Sequence, residues 1–208
     1  MKRRITIMLF ALCCMLSLAT AQNMRSLFLA APEQLFPLLP YNSRADLVDY
    51  AEANMTARVT NLLGGVSTLL ELKSDFMLLE TTASSTVQMK LLPFGNENIV
   101  CVVKSVSAEA EDSRVYFYDS HWNRLNTDDL FTMPEIREFF LPSDTIGHYI
   151  DMCDIYLVSL KLNSGESTLT AEYSMPHYMS EENAAAVMPL LRKRVYNWEN
   201  GRFVLAEE

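Results

Sequence analysis

Hydrophobic and polar positions alternate most regularly between Ser85 and Leu125, and the chain is read outward from that stretch. Val87, Met89 and Leu91 alternate with polar or charged neighbours, Ile99 to Val103 is a β-branched run interrupted by one cysteine, and Val115 to Tyr118 is aromatic and β-branched. Polar, turn-forming segments separate the three runs, so the pattern predicts an antiparallel meander. Upstream, the same period predicts strands over Arg58 to Leu63, Val66 to Lys73 and Phe76 to Thr82, with turns at Gly64-Gly65 and Ser74-Asp75. Connections this short make sequence neighbours antiparallel partners, because a parallel crossover needs about a dozen residues or more. Five or six sequential strands then form one large curved sheet.

Helical spacing governs the first segment. Asn23 is placed to cap a helix over Met24 to Ala31, Pro32 suits the start of a short helix carrying Leu35 and Phe36, and Pro37 and Pro40 stop it. Ser43 followed by Asp46 has the form of a capping box ahead of Leu47, Val48 and Ala51. After Trp122 the pattern breaks. Asn126 to Asp129 reads as a turn, Met133-Pro134 as the lead into a short helix with Ile136, Phe139 and Phe140, and Tyr149 to Leu162 as a long strand or bent pair answered by Ser167 to Ser174. Ser180, Glu181 and Glu182 open a late helix that closes on Arg192-Lys193-Arg194, with Pro189 shortening or kinking it. Asn200-Gly201 is the strongest hairpin signal and ties Val195–Trp198 to Arg202–Leu205. The expected class is α+β: a curved antiparallel meander with the N-terminal helices and the late helix packed on one face, all within a single domain over residues 22–208.

The N-terminal composition bears on address. Lys2, Arg3 and Arg4, the apolar run from Ile5 to Leu18 and Ala19-Thr20-Ala21 have the three parts of a secretory signal peptide spanning residues 1–21. The apolar run is shorter than the ~20 residues a spanning helix needs. Export to the periplasm or to an outer-membrane-associated site is therefore expected, with no integral membrane segment after cleavage. The 208-residue chain carries 17 Lys and Arg against 26 Asp and Glu, a net charge of −9. Loss of the leader's three cations would make it more acidic still, a surface that repels phosphate backbones and excludes nucleic acid as a partner. An envelope protein or a glycan is the partner class left.

Of the four cysteines, Cys101 and Cys153 follow the leader. In an oxidising compartment they are a disulfide candidate, and two buried free thiols are the alternative. His148, Asp151 and Asp154 supply the ligand types of a hard cation, but spacings of three suit neither a helix face nor a strand face, so the run is only a weak metal candidate. His121 with Asp119 is the one pair with a general-base precedent. No nucleophile motif accompanies it, nor is there a glycine-rich phosphate loop, H-E-x-x-H or C-x-x-C in the sequence, and no cofactor is implied. Tyr116, Tyr118 and Trp122 make a candidate ligand-binding face, since Tyr and Trp join apolar area to a polar handle; with Phe117 in the core, both tyrosines lie on the open side of the sheet.

The leader ending Ala-Thr-Ala-Gln, the segment Asn42-x-Arg44-x-Asp46-Leu47-Val48-Asp49-Tyr50, the run Met89-Lys90-Leu91-Leu92-Pro93, and Ile99-Val100-Cys101-Val102-Val103 with Asp112-Ser113-Arg114-Val115-x-Phe117-Tyr118 together resemble a family of small exported proteins of the Bacteroidales type, catalogued as a domain of unknown function. The resemblance spans essentially the whole chain and implies export and a single domain, without catalytic residues. It also implies that Asp144-Thr145-Ile146 is an O-glycosylation site. Two functions remain open: a binding or structural module of the cell envelope acting through the aromatic sheet face, and an envelope hydrolase using His121 with Asp119.

Overall fold

The structure, a computed structural model, describes residues 23–142, 146–151, 153 and 155–207. The leader and most of the Asp144-Thr145-Ile146 segment lie outside the described residues.

Helix α1 (Met24–Ala30) starts where Asn23 Oδ1 accepts the Ser26 amide at 2.9 Å, as an N-cap does. A 3₁₀ turn (Glu33–Leu35) follows Pro32, and α2 runs Tyr41–Glu52. Helix α2 begins directly after Pro40, so Ser43 and Asp46 sit inside it and form no capping box. Arg44, on α2, is fully enclosed. Its Nη1 donates to the carbonyls of Phe28 (2.6 Å) and Ala31 (2.8 Å) at the end of α1, and its guanidinium lies beside the edge-to-face pair of the Phe28 and Phe36 rings. A cation thus takes the place of the missing C-terminal cap.

Six strands follow in sequence order, β1 (Arg58–Thr60), β2 (Val66–Leu72), β3 (Phe76–Thr82), β4 (Ser85–Phe94), β5 (Glu97–Ser107) and β6 (Glu111–Tyr118), and each pairs antiparallel with the next. The expected meander is present, with Met89 opposite Val102 and Val102 opposite Tyr116. Val100 and Val102 face the helical layer together with Met77, Leu79, Val87 and Met89, while Ile99, Cys101 and Val103 face the other way. A continuous β-branched run is what a strand covered on both sides requires.

What covers the second side is the main departure from expectation. The later strands, β7 (Val158–Leu162), β8 (Thr168–Tyr173), β9 (Arg194–Glu199) and β10 (Arg202–Leu205), form a separate four-stranded antiparallel sheet ordered β10-β9-β8-β7. Leu160, Leu162, Leu169, Ala171 and Phe203 pack from it onto Val103, Val115 and Phe117. The first sheet is therefore a middle layer between helices and a second sheet. Tyr149 to Leu162 is not one strand: α4 (Ile146–Asp151) precedes β7. The late helix α5 (Glu181–Val187) ends ahead of Pro189, and its Val187 enters the core between the sheets, on the side opposite the N-terminal helices.

Polar side chains join the two sheets. Gln88 Nε2 donates to Leu160 O (3.3 Å) and its Oε1 accepts the Leu162 amide (2.8 Å), while Ser113 Oγ accepts the Leu160 amide (3.0 Å) and shares a hydrogen bond with Ser105. The outer edge of β7 is thereby paired by side chains instead of by another strand. The C-terminal hairpin turns at Asn200 and Gly201 with φ of 51° and 81°, as a type I′ turn needs. Trp198 anchors it by donating from Nε1 to Pro93 O at 2.7 Å.

Candidate functional site

The pair His121 and Asp119 lies in the tight turn after β6. Asp119 Oδ1 accepts the amides of His121 and Asn123, both at 2.8 Å, and Oδ2 accepts from the Asn123 side chain. The carboxyl is held below the usual Asp range, chiefly by the Asn123 side chain and also by the two amides. It is a turn cap. The imidazole of His121 is turned to its neighbour, with Nδ1 3.1 Å from Ser120 Oγ, and both groups are exposed. The expected acid–base pair does not form, because three local donors already occupy the carboxylate.

The aromatic set is placed differently from expectation. Phe117 is buried between the sheets, so Tyr116 and Tyr118 do point the other way, but that way lies the helical layer, and both are half-buried against it with Trp122. Tyr118 and Trp122 pack ring to ring at 5.5 Å, and burial raises the Tyr118 hydroxyl above its ordinary pKa. Trp122 adopts φ 65°, and its indole nitrogen is buried without a hydrogen-bond partner. These two rings form a support. Tyr116 alone of the three lines a groove.

That groove, of about 440 Å³, runs along the outer edge of β6 and is built by Arg114, Val115 and Tyr116 with Arg124, Thr127 and Asp128. Thr127 and Asp128 come from the one-turn helix α3 (Thr127–Leu130), which the sequence presents as a turn. The guanidinium of Arg124 lies 5.0 Å from the Tyr116 ring centroid. Among the described residues neither Arg114 nor Arg124 has an ion-pair partner, and Thr127 Oγ1 is buried without a hydrogen bond. Beyond the groove the Leu125 amide donates to Phe117 O (2.9 Å) and closes that end of the edge. Since backbone groups alternate sides along a strand, the N–H and C=O of Val115 point to this same edge, where among the described residues no strand pairs with them.

A second cleft, of about 260 Å³, brings together Glu111, Ser159, Ser174 and His177, which lie far apart in the sequence. Glu111 is held by Ser159 and Ser107, and Ser174 donates to the Glu111 carbonyl. Its polar groups mostly satisfy one another. The run His148, Asp151, Asp154 is only partly visible: His148 and Asp151 fall on α4, Asp151 is exposed, and Asp154 lies outside the described residues. Among the described residues no three His, Cys, Asp or Glu side chains converge as a metal site. Cys101 and Cys153 do not form the candidate disulfide. Both are buried in the inter-sheet core, where burial pushes the Cys101 thiol up and Cys153 Sγ donates to Tyr149 O at 3.2 Å. Among the described residues no helix is long and apolar enough to cross a membrane.

No curated protein matches the chain. Among solved structures, a domain of an uncharacterized protein from Porphyromonas gingivalis W83 superposes with a TM-score of 0.77 at 29% identity, covering 88% of this chain and 98% of that one. The family model described as protein of unknown function (DUF3256) matches residues 16–203, and the chain belongs to that family.

Proposed function

We propose that the protein is an exported binding module of the cell envelope, and that the groove on the β6 edge takes an extended, acidic segment of a partner protein. The observation that carries this reading is the pair of arginines without counter-ions beside an unpaired stretch of strand, in a chain whose charge is otherwise strongly negative. An edge strand offers backbone hydrogen bonds to an added strand, and flanking side chains set which sequences fit. Arg124, with its guanidinium 5.0 Å from the Tyr116 ring centroid, carries a fork of donors suited to a carboxylate. Thr127 Oγ1 adds a polar group that lacks a hydrogen-bond partner among the described residues. Hydrolysis is not carried forward, because the Asp119 carboxylate is taken up by its own turn.

The test is selection from a random peptide library on the wild-type protein and on the Arg114→Ala/Arg124→Ala variant. The wild type should enrich Asp- and Glu-containing sequences, their binding should weaken with salt, and the Val115 amide should exchange more slowly when a selected peptide is bound. The double variant should lose the enrichment with an unchanged unfolding midpoint. Enrichment that ignores the arginines, or a Val115 amide that stays unprotected, overturns the reading.

A further inference from the structure

On the helical side of the first sheet a cavity of about 230 Å³ lies between the loop after α1 and strands β4 and β5. Leu35, Phe36 and Leu39 form its roof, while Val87 and Lys104, directly opposite each other across β4 and β5, form its floor. Val106, 62% exposed, stands at its mouth. The lining is apolar apart from a few hydroxyls and one cation.

Lys104 is the feature that gives the cavity a chemistry. Its Nζ donates to Leu35 O at 2.7 Å, which accounts for one of three N–H donors. Among the described residues no carboxylate pairs with it. The residue across β6 is Arg114, a second cation, so the sheet itself supplies no compensating charge at that position. Half-burial desolvates the ammonium and lowers its pKa from the ordinary lysine value. An ammonium with free donors at the wall of an apolar cavity complements one class of molecule: an anionic head on a short alkyl chain.

We infer that this cavity is a binding site for a short-chain alkyl carboxylate, with the chain between Phe36 and Val87 and the carboxylate on Lys104. The volume lies below the range of pockets for drug-sized ligands, about 300 Å³ and upward, so the ligand is small. The cavity shares no lining residue with the edge groove, although Lys104 is the cross-strand neighbour of the groove's Arg114.

The test is calorimetric titration of the protein with octanoate, octylamine and octanol. Octanoate should bind about tenfold more tightly than octanol, the worth of one charge-assisted hydrogen bond, and octylamine should bind most weakly. Lys104→Met keeps the apolar stem and should bring octanoate down to octanol without abolishing octanol binding. Val106→Trp, at the exposed mouth, should weaken both. Should Lys104→Met fail to fold, nuclear Overhauser contacts between octanoate and the Val87 methyl groups in the wild type decide the matter. Octylamine binding as well as octanoate, octanoate binding that survives Lys104→Met, or absence of those contacts overturns the inference.

Discussion

The two faces of the first sheet treat their cations differently. Toward the second sheet, buried polar side chains find each other: Gln88 pairs with the β7 backbone, Ser105 with Ser113, and Lys90 with Asp75 at 2.9 Å and with Ser164 O. Toward the helices, the charged groups are left with carbonyls or rings in place of counter-ions: Arg44 on Phe28 O and Ala31 O, Lys104 on Leu35 O, and Arg124 on Tyr116. A satisfied network rigidifies and specifies packing, whereas a group with spare donors is available to something outside the chain. Both proposed sites rest on cations of the second kind, Lys104 at the cavity and Arg124 at the groove.

The most damaging way to break it is Val102→Asp. Val102 is fully buried at the centre of β5 and faces the helical layer, and each neighbour across the strands is buried or half-buried. An unpaired charge there costs several kcal/mol, comparable to the whole stability of an ordinary domain. The variant should show no cooperative urea transition. A normal transition would mean that the helices do not cover β5.

Gln88→Leu tests the satisfied face. It leaves Leu160 O and the Leu162 amide buried without partners, at roughly 1–3 kcal/mol for each group left unsatisfied. The urea midpoint should fall sharply with little change in slope. If Gln88→Leu is neutral, the two sheets are held by apolar contact alone and the contrast between the faces weakens.

That same residue explains how far the sequence could be read. The alternation over Val87, Met89 and Leu91 correctly put these inside, and by the same logic made Gln88 and Lys90 look solvent-facing; both are buried beneath the second sheet. A polar residue paired across two sheets carries no periodic signature that distinguishes it from one in water. The boundaries of β3 and the Asn200-Gly201 hairpin were legible because turn chemistry and period-2 spacing are local. Tyr116 was legible as an aromatic on the face opposite Phe117, but Arg124, Thr127 and Lys104 were not, since only the fold brings them beside a groove or over a cavity.

Gly201→Ala should be milder than Gln88→Leu. Gly201 has φ 81°, and an added Cβ would come within 3.0 Å of the Phe94 ring. The left-handed conformation alone costs a non-glycine residue about 1–2 kcal/mol, and Phe94, 43% exposed, can shift to make room. The melting temperature should fall by several degrees, with ligand binding at the β6 groove and the Lys104 cavity unchanged. Loss of either binding activity would mean that the hairpin reaches the helical side through the sheet.

The smallest effect belongs to Asp119, and its sign is fixed by the direction of its pKa shift. The folded state holds this carboxyl below its ordinary value of about 3.9, through the Asn123 side chain first and the Asn123 and His121 amides after it. Between the folded and unfolded pKa values the unfolded chain binds more protons, so the stabilisation is complete above the unfolded pKa and is lost as pH falls through the folded one. Asp119→Ala should lower the melting temperature slightly at neutral pH and flatten the acid side of its pH profile, without altering either proposed binding site. The turn supports the Trp122–Tyr118 stack behind Tyr116, so binding of an acidic peptide at the groove should persist in the variant. A variant that folds normally yet loses peptide binding would show that the turn itself touches the ligand, and would return His121 and Asp119 to the site from which their geometry removes them.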